Sequence, residues 1–259
     1  MAVEDTSKVA RSGAIGRGFE ILRALRSSSS PMALTAVAEA IGVAPSSAHS
    51  VLMQLLAQGA VIQDEDKRYQ LGPVMFYIGS AYSRGSAIYR STWVELINLA
   101  NEFDLTGAIA TPWESYHLIL QSHRAGESEV AVPFGGRVPI DGGSWGKVYY
   151  AFSAEDPPRK LTAYTAHSIT DAREFAAELE ATRAAGYAID RSEFSEGIGA
   201  VCAPVTSSAG YEGLASLLGP LERIEAIDPD VLGRRLAGLA SRASLALGDS
   251  ERVRFFGSA

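Results

Sequence analysis

Residues 15–71 hold three short amphipathic segments and then a charged hairpin, and that order restricts the first part of the chain more than any other feature. In residues 34–41, Leu34, Val37, Ala38 and Ile41 fall at i, i+3, i+4 and i+7; in residues 46–58, Ala48, Val51, Leu52 and Leu55 repeat the spacing. Each set makes one stripe on a helix of 3.6 residues per turn. Between them Gly42 suits the left-handed residue that closes a helix, and Pro45 suits the first turn of the next. A helix-turn-helix preceded by a helix over residues 15–25 is therefore predicted. Ala60-Val61-Ile62-Gln63 and Arg68-Tyr69-Gln70-Leu71, around the turn Asp64-Glu65-Asp66-Lys67, read as the strands of a wing.

With its stripe packed inward, the third segment turns Ser46, Ser50 and Met53 outward, flanked by Ser47, His49 and Gln54. Hydroxyl and amide groups donate and accept at base edges in the major groove, and recognition helices use their N-terminal residues for this. Arg17 on the first helix and Lys67 and Arg68 in the wing are candidate phosphate or minor-groove contacts, opposed locally by the three acids of the turn. A solvated helix face on a small bundle has the same spacing, and Arg68 also fits the exposed side of a strand; the wing favours DNA.

The sequence resembles the IclR-type family of bacterial transcription regulators over nearly its whole length. The matching pieces are Gly18-Phe19-Glu20-Ile21-Leu22, Leu34 to Ile41 with Gly42, Ser46-Ser47-Ala48-His49, Tyr69-Gln70-Leu71-Gly72, Gly136-Arg137-Val138-Pro139, Gly146-Lys147, Thr170-Asp171, Gly186-Tyr187-Ala188-Ile189-Asp190, Glu196-Gly197, Ala203-Pro204-Val205 and Gly219-Pro220, in that order. The resemblance implies an α+β protein: a winged helix-turn-helix domain over residues 1–72, a linker helix over 73–90, and an effector-binding domain over 91–259 with a GAF-like mixed or antiparallel sheet and helices. It also implies a homodimer or dimer of dimers on a near-palindromic operator in double-stranded DNA. Two residues depart from the family pattern: Pro45 stands where a basic residue is usual, and Ser50 where Arg is common.

A chain of 259 residues with 47% hydrophobic content suits two domains with buried cores. No apolar run is long enough to span a bilayer and no signal-peptide pattern follows Met1, so a cytoplasmic protein is expected. The single cysteine forbids an internal disulfide. Residues 1–80 carry seven basic and seven acidic side chains, so the net charge of −7 belongs to the remainder. A neutral first domain predicts modest nonspecific DNA affinity.

In the second part, helices are expected over residues 73–82 and 91–103, then strands over 107–111, 117–122 and 129–132, and a helix over 144–152. A helix capped by Thr170 and stopped by Gly186 follows, then antiparallel strands over 187–193, 199–206 and 211–218, and a last helix after Asp228-Pro229. Residues 1–12 read as a polar, mobile tail. The expected pocket lies between the sheet and Gly142-Gly143-Ser144-Trp145, where two glycines before a helix leave amides free for a ligand carboxylate. The family pattern adds Asp190, Ala200, Ser216 and Leu218 to its lining, with Tyr149 on the nearby helix. Family members that bind small polar acids tend to have Cys at the position of Ala200 and Ser at that of Leu218, so an aromatic or partly apolar acid or its derivative is the expected effector.

Cys202 reads as a core residue, and His117 and His123, spaced to share one strand face, make a poor metal site alone. Trp113, Phe134 and Trp145 are further candidates for a pocket floor or for core. No cofactor fingerprint, metal set or catalytic constellation emerges. The expected function is a ligand-responsive regulator, a repressor of a catabolic operon, with no enzymatic activity. An enzyme fused to a DNA-binding domain and a protein–protein adaptor using the winged helix are the alternatives.

Overall fold

The computed structural model describes residues 13–126 and 128–250. The expected tail at residues 1–12 lies outside the described residues. The chain divides into two compact units, Met1–Gly85 and Ser86–Ala259.

In the first unit, α1 (Ala14–Ser27), α2 (Leu34–Ala40) and α3 (Pro45–Ala57) precede β1 (Val61–Gln63), β2 (Tyr69–Leu71) and α4 (Pro73–Gly85). The chain turns through 105° between α2 and α3, with Gly42 at φ 65°, the residue that glycine alone adopts without strain. The two predicted stripes point inward, with Val37, Ile41, Val51 and Leu52 joining Ile21 and Leu25 of α1 and Val61 and Tyr69 of the wing. Full burial of each such aliphatic side chain favours the fold by roughly 1.5–3 kcal/mol. The wing is tied back to the α1–α2 loop by paired backbone bonds between Met32 and Tyr69, 2.7 and 2.8 Å long. At its base a Cβ on Gly72 would lie 2.1 Å from the Gly59 carbonyl oxygen, so no other residue fits there.

The second unit begins with α5 (Ala87–Phe103), whose N-terminal Tyr89 amide donates to Ser86 Oγ. Six strands follow, β3 (Thr106–Trp113), β4 (Tyr116–Arg124), β5 (Arg137–Pro139), β6 (Ala188–Arg191), β7 (Ile198–Ser207) and β8 (Gly210–Pro220), in the order β5-β4-β3-β8-β7-β6. Every pair is antiparallel. Helices α6 (Gly143–Phe152) and α7 (Ala172–Ala185) come between β5 and β6, and α8 (Leu221–Ile227) and α9 (Pro229–Ser250) end the described chain. Strand alternation sorts the core: Val201, Ala203 and Val205 of β7 pack with α5 and α9, whereas Cys202 packs with Trp145 and Val148 of α6. Both sheet faces are covered, which is why the central strands read as continuous apolar runs.

Several boundaries differ from the sequence expectation. Residues 129–132 form no strand; the edge strand is β5, and the segment before it is loop. Asp171 caps α7 in place of Thr170, its carboxylate accepting from the Arg173 and Glu174 amides. Helices α4 and α5 meet at Ser86 without the predicted gap, and α8 was not anticipated. His117 and His123 do not share a face. Leu120 and Gln121 together oppose Ile109 in a β-bulge, and the extra residue reverses the alternation. His117 therefore meets Trp145 of α6, while His123 bonds Asn101 of α5.

Candidate functional site

On the first unit, Ser46, Ser47, Ser50 and Gln54 of α3 and Arg17 of α1 line one shallow depression with Ala14 and Val51. The α3 stripe Ala48, Val51 and Leu52 is buried behind it, so packing fixes which side of α3 faces out. Ser46, His49, Ser50 and Gln54 are exposed, and Ser47 and Arg17 half-buried. His49 stands outside this depression. Lys67, at φ 60°, and Arg68 are exposed at the wing tip. There Asp64 accepts from the Arg68 amide at 2.8 Å, so one of the three wing acids serves the turn itself.

In the second unit a cavity of about 260 Å³ opens among the sheet, the start of α6 and the loops beside them. Of the expected residues it is lined by Gly142, Ser144, Trp145, Asp190, Ala200 and Leu218, together with Ile119, Val138, Phe194 and Ile198. Gly143, Tyr149 and Ser216 are not in the wall. Ser216 lies behind it, accepting from Trp145 Nε1 at 3.0 Å and donating to the Val201 carbonyl at 3.0 Å. It thereby satisfies the indole on the side away from the cavity. Tyr149 instead packs edge-on against His117, Tyr150 and Tyr211. Trp113 and Phe134, both exposed, do not line the cavity.

The helix N-terminus is not open as the glycine pair suggested. Asp190, only 5% exposed, accepts from the Glu193 amide at 2.7 Å and from the Ser144 and Phe194 amides. Burial raises its pKa, opposed by these amides and by Lys147. Gly143 passes directly over it: at φ 50°, a Cβ there would lie 1.8 Å from Asp190 Oδ2. The protein's own carboxylate thus holds the place expected for a ligand's. Ser144 Oγ remains, buried in the wall with no hydrogen-bond partner among the described residues.

Two further groups shape this region. Lys147 Nζ, buried in α6, donates to Glu193 at 2.6 Å, to Glu178 at 3.0 Å and to the Ile189 carbonyl at 2.9 Å. Residues 144–152 are almost wholly apolar, which marks a helix buried on all sides whose one lysine must be paired internally; that signal was available in the sequence. His117 is fully buried, and desolvation drives its pKa down to about 3 against the opposing Pro139 carbonyl. It bonds Tyr211 at 3.2 Å as a neutral imidazole. Cys202 is buried in the sheet, and burial pushes its thiol up.

Residues 14–65 match the IclR helix-turn-helix domain, and residues 88–243 match the C-terminal domain described as bacterial transcriptional regulator IclR. The transcriptional repressor IclR of Escherichia coli strain K12 is 26% identical over 90% of this chain and 89% of its own. The crystal structure of an IclR transcriptional regulator from Alicyclobacillus acidocaldarius superposes with a TM-score of 0.80 at 25% identity, over 92% of this chain and all of that one. That of an IclR homolog from Microbacterium hydrocarbonoxydans, complexed with 4-hydroxybenzoate, has a TM-score of 0.77 at 17% identity, over 91% of this chain and 99% of that one. With both family domains matched in order along its length, the chain belongs to the IclR family of bacterial transcriptional regulators.

Proposed function

We propose that this regulator is a repressor that binds its operator as a homodimer or a dimer of dimers and is released when a small aromatic or partly apolar acid, or a derivative of one, enters the cavity beside α6. The observation that carries the reading is the cavity itself, about 260 Å³ with a largely apolar wall. Ala200 and Leu218 supply apolar wall where hydroxyl or thiol groups would suit a small oxoacid. The E. coli repressor and the 4-hydroxybenzoate complex support the sign of control and the ligand class by analogy.

On the DNA side, Ser46, Ser47, Ser50 and Gln54 are assigned to base edges, His49 to the flank of the same helix, and Arg17, Lys67 and Arg68 to phosphates or the minor groove. So few cations per head give a shallow salt dependence. Two heads on half-sites about 34 Å apart then have to supply the affinity. Ile15 and Phe19 of α1, and Phe76, Tyr77 and Ile78 of α4, are exposed apolar side chains that support self-association. Residues 73–90 are assigned the linker. The protein acts by binding, with no catalytic step or cofactor, and works in the cytoplasm; no single helix among the described residues is long and apolar enough to cross a membrane.

Gel retardation on the upstream intergenic duplex tests the reading. Wild type should shift it, Ser47→Ala and Gln54→Ala should weaken the shift, and an aromatic acid should abolish it. A ligand can move the equilibrium only by its differential affinity for the two states, so coupling of about 1–3 kcal/mol would change operator affinity roughly 5- to 150-fold. Loss of the shift at low salt, or a shift that no ligand alters, overturns it.

A further inference from the structure

Among the described residues, the cavity beside α6 is bordered by two ionisable side chains, Asp190 and Arg137. Strand alternation separates them. Val138 of β5 pairs with His117, whose ring meets Trp145 of α6, so this pair lies on the cavity face of the sheet. Arg137 pairs with Leu118, which packs with the core under α5 and α9, and its guanidinium lies 4.8 Å from the Tyr116 ring centroid. Residues one apart on a strand point to opposite faces, so the Arg137 charge is turned away from the cavity.

The other nearby cation is already engaged. Lys147 Nζ lies 2.6 Å from Glu193 and 3.0 Å from Glu178, and Asp190 adds a further carboxylate to the same region, so acids outnumber the one ammonium. The Ser144, Glu193 and Phe194 amides donate to Asp190 and favour its ionised form. Ser216 is also spent, between the Trp145 indole and the Val201 carbonyl. The rest of the wall is mainly apolar, with Ile119, Val138, Trp145, Phe194, Ile198 and Leu218. A ligand carboxylate entering this space loses its water, finds no cation and meets a fixed negative charge, and each of these opposes its binding. A neutral carbonyl gives up far less on leaving water. The volume, about 260 Å³, is near the lower limit of ligand pockets and suits a single ring.

We propose that the cavity takes its effector uncharged, as a single-ring amide, ester or similar neutral derivative, and that the corresponding free carboxylate acts only at much higher concentration. The inference rests on the sensor reading above and chooses, within the class given there, the derivative over the acid. Asp190 is the residue that sets the preference, through its fixed charge at the wall.

Isothermal titration of the full chain with benzoate, benzamide and methyl benzoate is the test, with gel retardation on the upstream duplex as a second readout. Benzamide has nearly the shape of benzoate without its charge. Wild type should bind benzamide and the ester about tenfold or more tightly than benzoate, the ratio given by one pKa unit of preference for the neutral form. Asp190→Asn should narrow that ratio. Because this variant also disturbs the backbone bonds that Asp190 accepts, Val138→Lys provides the independent check: it places a cation on the cavity face of an edge strand and should shift the ratio about tenfold or more towards benzoate. If benzoate binds wild type as tightly as benzamide and lifts it from DNA, the preference for a neutral ligand is wrong and the sensor reading survives. A ratio unmoved in Val138→Lys overturns the electrostatic cause. If none of the three probes binds or alters the shift, both readings fall.

Discussion

Replacing Lys147 by Met isolates the charge at the centre of the α6 region. The ammonium, with its side chain 3% exposed, lies 2.6 Å from Glu193 and 3.0 Å from Glu178. Met keeps most of the apolar stem and removes the charge together with the hydrogen bond to the Ile189 carbonyl. Glu178 is 43% exposed and can turn to water, but Glu193 and Asp190 stay buried without a cation. Breaking a buried pair from one side costs about 3–5 kcal/mol. For a domain of this size that lowers the melting temperature by roughly 6–20 °C. Burial already raises the pKa of both acids and Lys147 opposes it, so removing the lysine raises them further. An acid whose folded pKa lies above its unfolded value of about 4 destabilises the fold as pH rises through that interval. The gap between variant and wild type should therefore be widest near neutrality and narrow towards about pH 5. Trp93, Trp113 and Trp145 all lie in Ser86–Ala259, so tryptophan fluorescence during urea denaturation reports this unit alone. A loss below about 1 kcal/mol, or a gap of constant size across that range, refutes the argument that Lys147 neutralises buried acids.

Ser216→Ala should cost about 1–3 kcal/mol, because it strands a buried indole N–H, and should also weaken ligand binding by freeing Trp145 from its latch; urea titration and calorimetry measure the two effects, and unchanged affinity with lowered stability refutes the latch. His117, neutral in the fold with a pKa of about 3, takes up its proton on unfolding near pH 6.5, so it makes the wild type lose stability as pH falls from there, by about 1.4 kcal/mol per pH unit at the steepest. His117→Phe should flatten the stability profile between about pH 6 and about pH 4, and an unaltered slope in denaturation series refutes burial of a neutral ring.

The fold was legible wherever one face of an element had to be apolar. The stripes Leu34, Val37, Ala38, Ile41 and Ala48, Val51, Leu52, Leu55 fixed α2 and α3, and Gly42 with Pro45 fixed the corner, because period and turn chemistry are local properties. Elements without such a period were illegible. Strand β5 is three residues at a sheet edge, and helix α8 is seven residues beside the long α9. The β-bulge at Leu120 and Gln121 carries no local signature, yet it decides on which face His123 lies. Six of the nine expected effector residues line the cavity: Gly142, Ser144, Trp145, Asp190, Ala200 and Leu218. Register separates them from Ser216. Ala200 pairs with Leu218 across β7 and β8, whereas Ser216 pairs with Cys202 two residues along β7, and its hydroxyl meets the indole and not the cavity.

Asp190 shows the same limit as Ser216. Two glycines before a helix predict an anion at its N-terminus, and an anion is there, but it comes from a strand about 46 residues further along the chain. Helix termini attract carboxylates without regard to whether they are covalently attached. An internal carboxylate that meets this need is held through folding, so it biases the adjacent cavity permanently against a second anion.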